Sequence, residues 1–388
     1  MGNDKRKKVC FFLPSLSGGG AERVVVNLAG QFAKKGYAVE IALWSDVHDS
    51  PYTDDIAESV KVIPIRHGGR YKNLALKAIY ALFSIPKVVS YIKNSRPCVI
   101  FANLCELAVI FANIFSGHTS RIAVVVHNDP SYYSSLLSHG GSRIRAWIFT
   151  FLSKLFYPLA DAVVGVSKGV SEALVSNGIA PPGKTAFIYN PVVTKSLLKL
   201  SGEPPEHPWL VRHSRPVFLG VGRLCEQKNF PLLLRAFEIV SRKLDAVLII
   251  AGDGPLLEEL RKISAELNIE ERVSFAGFLK NPFSVMAHAD VFVLSSLFEG
   301  LPTVIIEAMA CGCQIVSTDC PHGPSEILDR GRYGRLVPVG DEYALADAML
   351  DAIAHPVPKA ELAERAKIFD EDVIGARYIA LAEKLMAR

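Results

Sequence analysis

The chain predicts an α/β fold of two doubly wound domains, with a proline-rich connection between them and a helix at the end. Three observations carry this. Each half opens on the same unit of strand, loop, helix and strand, with short apolar runs that end in glycine-containing turns. At 388 residues the chain is long for a single core. The charge also divides: residues 1–190 hold 21 Lys and Arg against 12 Asp and Glu, or +9, whereas residues 191–388 hold 22 against 27, or −5. The halves therefore meet different partners, and the basic one suits an anionic surface or acceptor.

In the first half, 8–16 reads as a strand, Gly18, Gly19 and Gly20 as a turn, 21–35 as a helix and 37–44 as the next strand. A later strand at 122–126 runs into His127, which precedes Asn128, Asp129 and Pro130. The second half repeats the opening: strand 216–221, loop 222–229, helix 230–244, and strand 246–251 ending on Gly252, Asp253, Gly254 and Pro255. Further strands fall near 273–275, 291–294, 314–317 and 335–337. The domains are drawn at 1–195 and 216–369, with a linker at 196–215 that contains Pro204, Pro205 and Pro208. A terminal helix at 370–388 is free to lie on either domain.

Half of the residues are apolar and 21% are charged, which fits a globular chain and excludes a disordered one. No stretch approaches about 18 uncharged apolar residues, and the N-terminal MGNDKRKK leads straight into a strand without a signal-peptide core. Gly2 invites lipidation, but Arg6 stands where a Ser or Thr is wanted. The expectation is a cytoplasmic chain. Seven cysteines without regular spacing argue against a disulfide framework. Cys311, Cys313, Cys320 and His322 could be drawn as a metal site, yet a helix end and a buried strand favour packing, and no structural metal is expected. Two segments, 71–93 with Lys72, Lys77, Lys87 and Lys93, and 143–157 with Arg143, Arg145 and Lys154 among Trp147, Phe149, Phe151 and Phe156, have the composition of basic amphipathic helices at a bilayer interface. Core helices with snorkelling lysines have the same composition.

The segment 298–312, FEGLPTVIIEAMACG, carries the most chemistry. Glu299 falls in a loop after a buried strand, and Pro302 fits the first position of a helix that ends by Gly312. The N–H groups of Gly300, Leu301 and Thr303 then point back to the strand end, where phosphates and sugar hydroxyls bind. Glu307 lies one turn inside, so the two glutamates span an extended ligand; equally, they read as an acidic loop residue and a glutamate favoured by the helix dipole. Arg223 and Lys228, in GRLCEQKNF directly after a strand, suit a diphosphate clamp, with Asn229 placed to cap the next helix; exposed basic residues would look the same. Gly18 to Gly20 is not a GxGxxG fingerprint, but it allows close backbone approach, and Glu22 suits a hydroxyl or the helix dipole. His127, at a strand's carboxyl end, opens onto the crevice of such a fold or is a satisfied strand-end histidine.

Taken together, SGGGAERVVVNLA, GRLCEQKNFPLLLRAF, AGDGPLLEEL and FEGLPTVIIEAMACG resemble the retaining glycosyltransferases of family four over nearly the whole chain. That resemblance implies the GT-B fold, two facing Rossmann-like domains with a terminal helix that is free to cross back. It further implies that Arg223 and Lys228 hold a donor diphosphate, that Glu307 accepts from the ribose hydroxyls, and that Glu299 holds the transferred sugar beside Gly300, Leu301 and Thr303. Gly19 and Gly20 would approach the phosphates, His127 the sugar and reaction centre, and Gly277 and Phe278 the base. The implied reaction needs no metal or cofactor: a hexose or N-acetylhexosamine moves from a UDP-sugar to a polysaccharide or a polyprenyl-diphosphate-linked sugar, at the inner face of the cell membrane. No nucleic acid is expected. The rival readings are a sugar-nucleotide epimerase and a non-catalytic nucleotide-sugar-binding subunit.

Overall fold

The computed structural model describes residues 7–44, 52–65, 74–128, 140–212 and 214–388. The readings placed on Gly2, Arg6, Lys72, Asp129 and Pro130 lie outside the described residues, as do the side chains of Lys77, Arg143 and Arg145. The chain forms two compact units, Met1–Pro191 with Glu371–Arg388, and Val192–Asp370.

The first unit holds strands β1 (Lys8–Leu13), β2 (Ala38–Leu43), β3 (Val60–Pro64), β4 (Val99–Asn103), β5 (Arg121–Val126), β6 (Ala162–Gly165) and β7 (Thr185–Phe187). Among the described residues they form one parallel sheet in the order β3-β2-β1-β4-β5-β6-β7. Both faces are covered, which is why VCFFL and VIFAN are near-continuous apolar runs with no alternation. One face packs Phe12, Ile100, Val124 and Tyr157. The rings of Phe11, Phe32 and Phe101 meet at 5.2–5.7 Å, and Tyr378 reaches Phe101 edge-on at 5.7 Å. Tyr378 comes from the terminal helix Glu371–Met386, which begins with Glu371 accepting from Gln31 Nε2 at 2.9 Å. That helix, left unassigned by sequence, is part of the first unit.

The second unit has β8 (Val217–Val221), β9 (Val247–Ala251), β10 (Val273–Gly277), β11 (Val291–Leu294), β12 (Gln314–Thr318) and β13 (Arg335–Val337), parallel and in the order β10-β9-β8-β11-β12-β13. Where prolines suggest a linker, 196–215, the structure has the helices Lys195–Ser201 and Pro208–Arg212. Leu197 and Leu210 are buried there, and Asn281 Nδ2 donates to the Leu200 carbonyl at 3.0 Å. The segment belongs to the second unit.

In each sheet the strand order reverses once, between β1 and β4 and between β8 and β11. Such a reversal opens a crevice beyond the carboxyl ends of the strands, where ligands of open α/β sheets bind.

Candidate functional site

In the second unit, the loops after β8 and β11 border that crevice. The loop 222–229 rests on the turn after β9: Leu224 N donates to the Asp253 carbonyl at 3.0 Å and Leu256 N to the Leu224 carbonyl at 3.1 Å. Gly252 makes this possible, since a Cβ there would lie 2.0 Å from the Gly222 carbonyl oxygen. The AGDGP segment is thus the seat of the Arg223 loop. Asn229 has a left-handed backbone (φ 47°) and precedes the helix Phe230–Lys243 without a side-chain capping bond, which corrects its reading as a cap.

Lys228 Nζ donates to Glu299 Oε1 at 2.6 Å, with 17% of the lysine side chain and 8% of the glutamate side chain exposed. Ser296 Oγ donates to the same oxygen at 2.7 Å. The loop between is tied down throughout. Gln227 Nε2 donates to the Phe298 carbonyl at 2.9 Å and Ser295 Oγ to the Lys228 carbonyl at 2.8 Å. Glu299 N donates to Pro321 at 2.7 Å, and His322 N returns a bond to Glu299 at 2.9 Å. This places the 320s loop under Glu299, and at Gly323 (φ 92°) a Cβ would meet Pro302 Cδ at 2.5 Å.

The helix Thr303–Ala310 begins one residue after Pro302, so the proline stands just outside it and not at its first position. The N–H groups of Gly300, Leu301 and Thr303 have no acceptor among the described residues, although Gly300 and Leu301 are buried. Buried N–H groups without partners are rare, and a cluster at a helix N-terminus is a site for an anion. Arg223 is exposed and makes no ion pair among the described residues, so its guanidinium is available. Glu307 is buried one turn into the helix, and it helps push the neighbouring Cys311 thiol, already raised by burial, up to about 12. Cys313 and Cys320 are likewise raised by burial, so these sulfurs stay protonated and suit packing. Among the described residues no group of three or more His, Cys, Asp and Glu side chains is arranged to hold a metal. Gly277 ends β10 with φ 67° and accepts from Gly252 N at 2.7 Å, and Phe278 after it is 53% exposed.

In the first unit the strand-end groups are different. After β1, the Glu22 carboxylate accepts from Gly18 N at 2.7 Å and Gly19 N at 3.0 Å, as well as from Ser15 Oγ and Ser17 Oγ. Glu22 therefore fills the glycine loop as a cap of the helix Gly20–Lys34, and the N–H of Gly19 is already used; the N–H of Gly20 has no acceptor among the described residues. At the end of β5, His127 is buried, and Nε2 lies 2.9 Å from Asn103 Oδ1 at the end of β4. Burial pushes the imidazole down to about 4, so it is neutral at pH 7. Near Asn103, the Glu106 carboxylate accepts from Leu104 N at 3.0 Å, and burial raises it to about 7. Sequence reasoning missed Ser296, Asn103 and Glu106. Only the small polar residues closing the strands 291–294 and 99–103 hinted at the first two.

Residues 18–196 match the family model described as Glycosyltransferase Family 4, and residues 215–355 match that of Glycosyl transferases group 1. The chain is 30% identical to the N-acetylgalactosamine-N,N'-diacetylbacillosaminyl-diphospho-undecaprenol 4-alpha-N-acetylgalactosaminyltransferase of Campylobacter jejuni, across 94% of this chain and 96% of that one. It is 25% identical to the lipopolysaccharide 1,6-galactosyltransferase of Salmonella typhimurium across 86% of each. Among solved structures, the HepE protein of Anabaena in complex with UDP-glucose superposes with a TM-score of 0.76 at 20% identity, over 97% of this chain and 99% of that one. The sucrose-phosphate synthase of Thermosynechococcus elongatus does so with a TM-score of 0.80 at 20% identity, over 98% and 100%.

Proposed function

The chain belongs to glycosyltransferase family 4, with its GT-B fold of two Rossmann-like domains, and we propose that it moves a hexose or N-acetylhexosamine from a UDP-sugar to a lipid-linked or polysaccharide acceptor with retention. One observation carries this reading. At the strand-order reversal of the second unit, a buried carboxylate, its lysine, and an arginine and three N–H groups that have no partner among the described residues lie on two adjoining loops.

Without a donor, Lys228 neutralises Glu299. When a nucleotide-sugar enters, its diphosphate draws Lys228 and Arg223 together with the N–H groups of Gly300, Leu301 and Thr303, and the sugar hydroxyls take over Glu299. Glu307 receives the ribose, and Gly277 and Phe278 border the base. In the transfer, the acceptor oxygen bonds to the anomeric carbon as the bond from that carbon to the diphosphate oxygen breaks. The acceptor proton passes to the departing diphosphate on the same face, which retains configuration. Charge builds on the leaving group, where fixed cations and N–H groups act without reorganising, and no metal is called on for that task.

The name of the Campylobacter relative contains diphospho-undecaprenol, which supports a polyprenyl-diphosphate-linked acceptor. Among the described residues no helix is long and apolar enough to cross a membrane. On the helix Gly140–Phe156, however, Trp147, Ile148, Phe151 and Leu155 form an exposed stripe, with Trp147 and Phe151 stacked at 5.8 Å and exposed Lys154 beside it. An apolar stripe on the unit of charge +9 suits peripheral contact with an anionic membrane. The test is incubation with a panel of UDP-sugars and anionic vesicles carrying a membrane lipid extract, following UDP release and sedimentation. Acceptor-dependent UDP release is expected. Free sugar released without acceptor would replace transfer by the epimerase reading, and a chain left in the supernatant would remove the membrane clause.

A further inference from the structure

His127 is neutral, so its two ring nitrogens do different work, and the structure shows which is which. Asn103 Nδ2 donates to the Phe101 carbonyl at 3.0 Å. A carbonyl only accepts, so the Asn103 amide is oriented with its nitrogen toward Phe101 and its oxygen Oδ1 toward His127. That oxygen, also acceptor-only, lies 2.9 Å from Nε2, which must therefore carry the ring proton. Nδ1 is left with a lone pair and no hydrogen-bond partner among the described residues. Asn103 is itself buried and closes β4, and β4 and β5 are hydrogen-bonded neighbours, so the amide cannot turn without breaking its bond to Phe101.

We infer that Asn103 is a positioning residue that locks His127 in the Nε2–H tautomer and presents Nδ1 as a hydrogen-bond acceptor. This rests on the reading that His127 meets the sugar and reaction centre. It deepens that reading by fixing the chemistry of what His127 accepts: the substrate group facing Nδ1 is a donor, a hydroxyl or an amide N–H. A group that only accepts, such as the carboxylate of a hexuronate, meets a lone pair and is disfavoured. Depression of the imidazole by burial agrees, since a protonated ring would offer two donors and no acceptor.

The test is nitrogen NMR of the full chain labelled at histidine, with His127→Gln used to assign the signals. Nδ1 of His127 is expected to resonate as an unprotonated nitrogen and Nε2 as a protonated one. Asn103→Asp keeps an acceptor toward Nε2 and should keep the tautomer, whereas Asn103→Leu should populate both. With the UDP-sugar that supports turnover, Asn103→Leu should lower kcat about tenfold, the effect of one lost hydrogen bond, while calorimetric affinity for UDP stays that of the wild type. A proton on Nδ1 in the wild type, or an unchanged tautomer in Asn103→Leu, overturns the lock. If the tautomers behave as expected but Asn103→Leu and His127→Ala both turn over at the wild-type rate, the placement of His127 at the reaction centre is what fails.

Discussion

The crevices of the two units are built on the same topology and filled with opposite chemistry. In the second unit, the loops after β8 and β11 carry an ion pair, Lys228 with Glu299, and an exposed Arg223 that has no ion-pair partner among the described residues. In the first, the ends of β4 and β5 carry a neutral amide and a neutral imidazole, and the Glu22 carboxylate in the glycine loop is spent on capping a helix. An ion pair can exchange partners with an incoming diphosphate at little cost, because charge replaces charge. A neutral buried pair instead selects by which atom carries a proton. Under the proposed function, charge handling falls to one unit and hydrogen-bond selection to the other.

The largest effect should come from breaking the charged side. Glu299→Gln keeps the shape but loses the charge that balances Lys228, and turnover should fall by about a hundredfold or more, read as UDP release. Wild-type turnover would remove Glu299 from the sugar site. The two cations then separate by stability. Lys228→Ala strands a buried carboxylate and should cost about 3 kcal/mol in thermal or denaturant unfolding, in addition to weakening UDP binding. Arg223→Ala should weaken UDP binding by about tenfold and leave stability within about 0.5 kcal/mol, since the side chain is exposed and has no partner among the described residues. Equal stability losses for the two would mean that Arg223 has a structural partner after all.

The neutral side is tested by pH. The His127 ring takes a proton near 6.5 in an unfolded chain and near 4 in the fold, so between these values the unfolded state binds more protons and stability falls as pH drops. Glu106 runs the other way. Its carboxyl ionises near 4.5 when unfolded and near 7 when folded, so stability falls as pH rises between them. The two slopes, each about 1.4 kcal/mol per pH unit, cancel over most of the shared range. Compared with the wild type, Glu106→Gln should therefore gain stability as pH rises from 4.5 toward 6.5, and His127→Gln should lose it. Parallel profiles for both variants would show that these groups are not held neutral by the fold.

Much of the second unit was legible in the sequence because its elements are punctuated locally. Gly222, Gly252 and Gly312 mark turns beside apolar runs, and Glu299, Arg223 and Lys228 stand in loops where charge is conspicuous. What the sequence could not show is pairing between distant loops. That Lys228 meets Glu299 across 71 positions, or that Glu22 folds back onto Gly18 and Gly19, follows from which strand ends become neighbours. Asn103 was silent for a related reason: an asparagine closing a strand looks like a turn residue, and only the Phe101 carbonyl and the His127 ring around it give its amide a direction. The 196–215 segment misled because proline content is read before two buried leucines.

The smallest effect sharpens how the ion pair works. Ser296 is buried, and its Oγ gives Glu299 a hydrogen bond that does not depend on Lys228. If Lys228 leaves for the diphosphate when a donor binds, Ser296 is the partner that stays and keeps the carboxylate aimed at the sugar. Ser296→Ala should then lower kcat/KM for the UDP-sugar about fivefold, the worth of one hydrogen bond of about 1 kcal/mol, and leave the affinity for UDP alone unchanged. A loss of UDP affinity of the same size would instead mean that Ser296 acts by holding the Lys228–Glu299 pair together, and that the pair does not open when the diphosphate arrives.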